Sequence, residues 1–249
     1  MHSIVYYIIY FLIIGAVGMA VANRKVTEKV RKQRWLKYFA YIFITGAVVV
    51  SIMYDFFYWM ALVITAVSFI ELLKVNFLKA IVSLRHVIVS LVFFLVVASG
   101  FLLFAATFIN SFVLFIYFQV LVFDGFCQIT GQLFGKKQLA PKISPSKTRE
   151  GLAGGWLSCI VAAMLAASWV SLSLVEAILF GLLTGLASFI GDMLASVYKR
   201  KAGVKDYSNW LPGQGGFLDR FDSFFFTASV YSLLYIANFT ATFELFIRT

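Results

Sequence analysis

Charge is what this chain of 249 residues has least of: 13% of its residues are Asp, Glu, Lys or Arg, against 62% hydrophobic. With a mean hydropathy of +0.93, a water-soluble globule is excluded. At about 20 residues per membrane-spanning helix, eight spans would use about 160 residues, which leaves short loops and no room for a separate soluble domain. Cysteine is equally scarce. Cys127 and Cys159 are the only two, both in apolar stretches, and they supply neither a disulfide framework nor a thiolate zinc cage. They read as small buried side chains. No fixed-period repeat or low-complexity tract is visible, so a solenoid is excluded as well.

The long apolar runs give the architecture. Ile4 to Ala22 is uninterrupted, and Ala20-Val21-Ala22 superficially resembles a signal-peptidase site. A secretory signal carries positive charge ahead of its apolar core, whereas only Met1, His2 and Ser3 precede this one. The expectation is an uncleaved first span with its amino terminus outside. Tyr38 to Tyr54 and Phe56 to Ile70 form a hairpin turning at Asp55. Val87 to Phe123 holds no Asp, Glu, Lys or Arg and is too long for one helix, so Asn110-Ser111 divides it. Trp156 to Val175, Ala177 to Ile190 and beyond, and Ser223 to about Phe243 bring the count near eight. Backbone groups in lipid must be satisfied within the segment, and the short alternating strands of a barrel are missing. The chain is therefore expected to be all-α, a polytopic integral membrane protein of about eight transmembrane helices with cytoplasmic catalytic loops. It forms one domain over 1–249, with amino-terminal helices in 1–123 and a catalytic half in 124–249.

The basic residues set the direction. The formal charge of +10 comes from 21 Lys and Arg against 11 Asp and Glu. Threaded through these spans, the cluster from Arg24 to Lys37 falls on one side with Lys74, Lys79 and Arg85. The groups Lys136, Lys137, Lys142, Lys147, Arg149 and Lys199, Arg200, Lys201, Lys205, Arg220 join them there. Only Arg248 falls opposite. The positive-inside rule makes the crowded side cytoplasmic, in a bacterial inner membrane by expectation. Juxtamembrane cations also anchor helices to anionic lipid, and the cluster from Arg24 to Lys37 needs no further role.

The acids are harder to dismiss. Asp124 closes the charge-free run, Asp192 follows Ile190-Gly191, and Asp219 and Asp222 precede the last run. A carboxylate at the centre of a span is costly, so these carboxylates, expected at span ends and facing each other across the cytoplasmic boundary, need partners. Asp219 and Asp222, three apart, share a helix face, and hard oxygen ligands of this kind suit Mg²⁺ held jointly with substrate phosphates. The competing reading is ion pairing with Arg220 and Lys199 or Arg200. Between them and the previous span, Pro212, Gly213, Gly215 and Gly216 suit a sharp re-entry that brings backbone close to a ligand, or a structural turn alone. Ser144 before Pro145 predicts a helix start, with Ser as N-cap and Pro in the first helical position. Such an N-terminus binds phosphate, with Lys147, Thr148 and Arg149 in the first turns; an ordinary loop-to-helix entry is the alternative. Glu150 is the residue that anchoring does not explain.

The order Ser196, Lys199-Arg200, Lys205-Asp206, Pro212, Gly215-Gly216, Asp219-Arg220, Asp222 resembles the signature of the phosphatidate cytidylyltransferase family, the CDP-diacylglycerol synthases. Gln214 stands where that signature has His; it hydrogen-bonds but carries no proton near neutral pH. Ser144-Pro145-Ser146-Lys147-Thr148-Arg149-Glu150-Gly151 is similar to a second block of the family, and Gly191-Asp192 also matches. The region around Asp124 fits more loosely, and the likeness covers the second half of the chain.

What the resemblance implies is transfer of CMP from CTP to phosphatidate, with a divalent cation required. It assigns Asp192, Asp219 and Asp222 to Mg²⁺, with a second cation left open, and Lys199, Arg200, Lys205 and Arg220 to phosphates. Ser144, Lys147, Thr148 and Ser196 become phosphate or headgroup contacts, together with Gln214, Gly215 and Gly216 in the turn, while Glu150 and Asp206 orient the cations. The partners are CTP, phosphatidate or a related lipid phosphate, and membrane lipids, with no nucleic acid and a homodimer left open. The rivals are an enzyme for another lipid phosphate, and a transporter or silent membrane partner keeping the fold. A transporter needs polar groups near the bilayer midplane and paired repeats, and neither stands out.

Overall fold

A computed structural model describes residues 2–78, 83–211, 215–238 and 241–248. Lys79, Pro212, Gly213 and Gln214 lie outside the described residues. Helices run α1 His2–Ala22, α2 Glu28–Met53, α3 Phe57–Leu78, α4 Leu84–Thr107 and α5 Asn110–Phe134. After a small ribbon of β1 Gln138–Ala140 and β2 Ser144–Thr148 come α6 Arg149–Ala166, α7 Leu174–Lys201 and α8 Leu218–Ile236. Among the described residues, 7 helices are long and apolar enough to cross a membrane. The eighth, α8, opens with Asp219, Arg220 and Asp222 in its first turns.

Short connections make successive helices antiparallel, so the helix ends fall into two groups. At one end, the α2–α3 turn carries Asp55 at φ 62, a left-handed conformation that Asp tolerates. Asp55 accepts from Asn110 Nδ2 at 3.1 Å and faces Arg248 Nη2 at 3.4 Å, which gives the one basic residue on this side a partner. Among the described residues, the other end gathers the remaining Lys and Arg and every acid of the predicted site.

Helix α5 is the centre. Phe112 to Val120 is buried without a break, as expected for a helix that is apolar all round and enclosed by others. Phe101, Phe104, Phe108, Phe112, Phe224 and Tyr231 fill the space between α4, α5 and α8, with ring centroids as close as 5.0 Å for Phe104 and Phe108. Small residues set the approach of α7 to α8: a Cβ on Gly191 would lie 2.6 Å from Phe226 Cβ. That contact brings the neighbouring Asp192 alongside the first turns of α8.

Three expectations need correction. First, Asp124 and Asp192 are not at span ends. Helix α5 continues to Phe134 and α7 to Lys201, which sets both carboxylates roughly 14–15 Å along the helix axis from the tips. The division at 123/124 therefore falls inside α5, and the two halves share a helix. Second, Ser144-Pro145 does not begin a helix. Ser144–Thr148 pairs antiparallel with Gln138–Ala140, and α6 starts at Arg149. Thr148 is the N-cap, its Oγ1 accepting from Gly151 N–H at 3.0 Å, and Gly151 packs closely on the Cys127 carbonyl of α5. Packing against α5 chose the later start over the local Ser-Pro signal, and Pro, which has no N–H to donate, sits without penalty in an edge strand. Third, Glu150 is placed on backbone: its Oε2 accepts the N–H groups of Lys136 and Lys137 at 3.0 and 3.2 Å, fastening the corner between α5 and β1.

Candidate active site

Helices α5, α7 and α8 each direct acids to one place. Asp124 of α5 accepts from Ser223 Oγ at 3.4 Å. Asp192 of α7 forms an ion pair with Lys147, Nζ lying 2.6 Å from Oδ2, and accepts from Ser196 Oγ at 3.4 Å. Asp222 of α8 accepts its neighbour's N–H, Ser223, at 2.8 Å and lies 4.0 Å from Lys199 Nζ. The charges of Asp124, Asp192 and Asp222 act on one another, and Arg220, itself exposed, acts on both Asp124 and Asp222. Lys147 reaches the cluster from β2 and also overlies the Phe189 ring at 5.8 Å.

Asp219 is engaged differently. Its Oδ1 accepts from Lys199 Nζ at 2.6 Å, while Oδ2 accepts the N–H groups of Tyr207 and Gly216, both at 2.8 Å. One carboxylate thus ties the middle of the loop between α7 and α8 to its α8 end. Lys199 is buried, its ammonium lying between Asp219 and Asp222 and 5.3 Å from the Tyr207 ring. Burial, and then the charges of Asp222 and Asp219, push the Tyr207 phenol well above its ordinary range, so this ring stays neutral against the ammonium. Gly215, at φ +85, closes the loop by accepting Leu211 N–H at 2.9 Å, a backbone conformation that favours glycine.

The structure therefore brings together Lys147, Asp192, Ser196, Lys199, Asp219 and Asp222, with Arg220 at the edge. Others of the predicted set stand apart. Arg200 donates to the carbonyls of Ile143 at 2.9 Å and Val204 at 3.2 Å, which ties the ribbon to the end of α7. Lys205 and Asp206 are exposed on the loop. Ser144 belongs to the ribbon, and Thr148 and Glu150 hold backbone. Gly216 meets α3, since a Cβ there would lie 2.5 Å from Glu71 carboxylate oxygens. Asp124 is the acid that the sequence singled out without assigning, and Glu71 is the one it missed. The available signal was the same for both, a lone carboxylate in a long apolar run.

Among the described residues, no group of three or more His, Cys, Asp or Glu side chains is close enough to cage a metal ion. Mg²⁺ does not need such a cage, because it commonly takes one or two carboxylates and completes its shell with substrate phosphates and water. Asp192 and Asp222 fit that requirement. Asp219 can join only through Oδ1, in competition with Lys199.

A bundle of apolar helices with acids from α5, α7 and α8 and lysines from β2 and α7 gathered towards one end defines a polytopic membrane protein with an ionic site between its helices. The sequence profile described as the Cytidylyltransferase family matches residues 1–237, and the chain belongs to that family. Among similar proteins, phosphatidate cytidylyltransferase of Haemophilus influenzae is 36% identical over 128 residues, 49% of this chain and 44% of its own length. Phosphatidate cytidylyltransferase of Staphylococcus epidermidis is 40% identical over 127 residues, covering 50% of this chain and 49% of its own. The uncharacterized protein YnbB of Escherichia coli is 44% identical over 102 residues, 41% of this chain and 34% of its own. The chain thus matches between a third and about half of the length of these relatives.

Proposed function

We propose that the chain is a membrane nucleotidyltransferase that makes CDP-diacylglycerol and pyrophosphate from CTP and phosphatidate at the cytoplasmic face. The observation that carries this reading is the meeting of Asp192, Asp219 and Asp222 with Lys147 and Lys199, drawn from three separate elements, β2, α7 and α8. In the reaction a phosphatidate phosphate oxygen attacks the α phosphorus of CTP. A new P–O bond forms, the α–β bridging bond breaks, and pyrophosphate leaves with that electron pair. The attacking phosphate is already ionised near pH 7, so no strong base is needed and Gln in place of His at position 214 is tolerated.

Mg²⁺ on Asp192 and Asp222, with Asp219 sharing through Oδ1, would neutralise charge developing on the phosphate oxygens. The chain's own residues do the positioning. Lys199 keeps Asp219 and Asp222 in fixed relation, and Lys147 does the same for Asp192. Arg220 is the exposed cation placed to receive phosphate oxygens, and charge stabilisation of this kind is the main catalytic term in such transfers. The bundle holds the lipid's acyl chains in hydrocarbon while its headgroup meets soluble CTP at the rim.

Detergent-purified protein given Mg²⁺, labelled CTP and phosphatidate is expected to form a labelled CDP-lipid. Absence of product with every lipid phosphate and divalent metal supplied would overturn the reading in favour of a silent membrane partner. Product with another lipid phosphate but not with phosphatidate would change the substrate and leave the chemistry standing.

A further inference from the structure

Helix α8 begins without a cap of its own. Its N-cap residue, Phe217, makes no side-chain cap hydrogen bond, although the first N–H groups of a helix need acceptors. The acceptor comes from another helix. Glu71 of α3, wholly buried at 0% exposure, accepts the N–H of Phe217 at 3.0 Å on Oε1 and that of Leu218 at 2.9 Å on Oε2. Its Oε1 also accepts from Ser208 Oγ at 2.5 Å, in the middle of the loop between α7 and α8. Among the described residues no cation is paired with this carboxylate; its charge is met by three donors and by the positive end of α8.

We infer that Glu71 is the positioning residue of the site: it caps α8 from α3 and so fixes where Asp219 and Asp222 stand. The inference rests on the functional reading above and deepens it. Asp219 and Glu71 grip the same loop from two sides, Asp219 through Tyr207 and Gly216, Glu71 through Ser208, Phe217 and Leu218. The α8 side of the loop, its entry into the helix, is therefore held twice, and the first turns of α8 have little freedom left. A second contact from α3 agrees, with Lys74 Nζ lying 4.3 Å from the Trp210 ring. Gly216 is required on this account as well, because any Cβ would strike the Glu71 carboxylate.

The test is Glu71→Gln, which keeps the size but turns an amide NH₂ toward backbone donors, alongside Glu71→Asp, which keeps both acceptor oxygens on a shorter arm. Hydrogen exchange across 205–220 is expected to quicken about tenfold or more in Glu71→Gln, while α5 and α6 keep wild-type protection. In the CTP and phosphatidate assay, kcat should fall about tenfold to a hundredfold with the lipid KM within about twofold, and Glu71→Asp should recover part of both losses together. Wild-type exchange and kcat in Glu71→Gln would overturn the inference. Exchange that quickens equally throughout α5 and α6 would also overturn it, making Glu71 a residue of the whole fold. If the wild-type protein forms no CDP-lipid, the functional reading fails, and the exchange measurement still decides whether Glu71 holds the loop.

Discussion

The two ends of the bundle use the same chemical groups for opposite purposes. At the Asp55 end, one acid, one arginine and one amide meet in the open, with side-chain exposures of 30% for Arg248 and 74% for Asp55. At the other end, the Lys199–Asp219 pair is 10% and 2% exposed. An ion pair in water contributes little and costs little to lose. A buried one pays heavily for desolvation, and removal of one partner leaves an uncompensated charge. Four acids, Asp124, Asp192, Asp219 and Asp222, face two directly paired lysines at that buried end. More carboxylates than directly paired lysines is poor stability design and would suit the cation that the proposed function calls for, and this surplus is what separates the two ends.

The sharpest way to break this comparison is to neutralise an acid. Asp222→Asn is expected to lower CDP-lipid formation by about a thousandfold or more, while the protein still inserts and keeps its melting temperature within a few degrees. Retained activity would remove Asp222 from the site. Asp219→Asn should lose comparable activity and also lower the melting temperature in detergent, because its carboxylate clasps the loop through two N–H groups and Lys199. Equal melting temperatures for the two variants would dissolve the distinction drawn between these acids.

Lys199→Met comes next: it strands Asp219 and Asp222 without their ammonium, and chemical or thermal unfolding should show a loss of about 3–5 kcal/mol. At the opposite end, Arg248→Ala should cost no more than about 1 kcal/mol and leave activity unchanged; a large loss there would show that exposure does not separate the two ends. The smallest effect belongs to Gln214→His, for which activity equal to or above wild type is expected. A collapse would give the glutamine a role of its own.

The fold was legible because hydropathy fixes helices in lipid almost residue by residue. The hairpin at Asp55, the break at Asn110 and the gathering of cations at one end all follow from that. The helix ends were less legible. Spans read from apolar runs stop at the first charge, so α5 was ended at Asp124 and α7 near Asp192, although both helices continue because lysines and hydroxyls from other elements meet those acids. The Ser144-Pro145 start misled for a related reason: a local capping signal lost to the close packing of Gly151 on α5. Of the site, the acids and Lys199 were legible as charges out of place. Arg200 and Glu150, in the same motifs, hold backbone.

Sequence alone determined that this chain spans a membrane many times, which end carries its positive charge, and which acids needed explaining, since each follows from transfer free energies that depend on composition and order. Tertiary structure decided how those acids divide their labour. Whether a carboxylate faces a lysine, another carboxylate or a row of N–H groups depends on which helices lie side by side. The residue most hidden from sequence reading, Glu71, acts across 147 positions of chain.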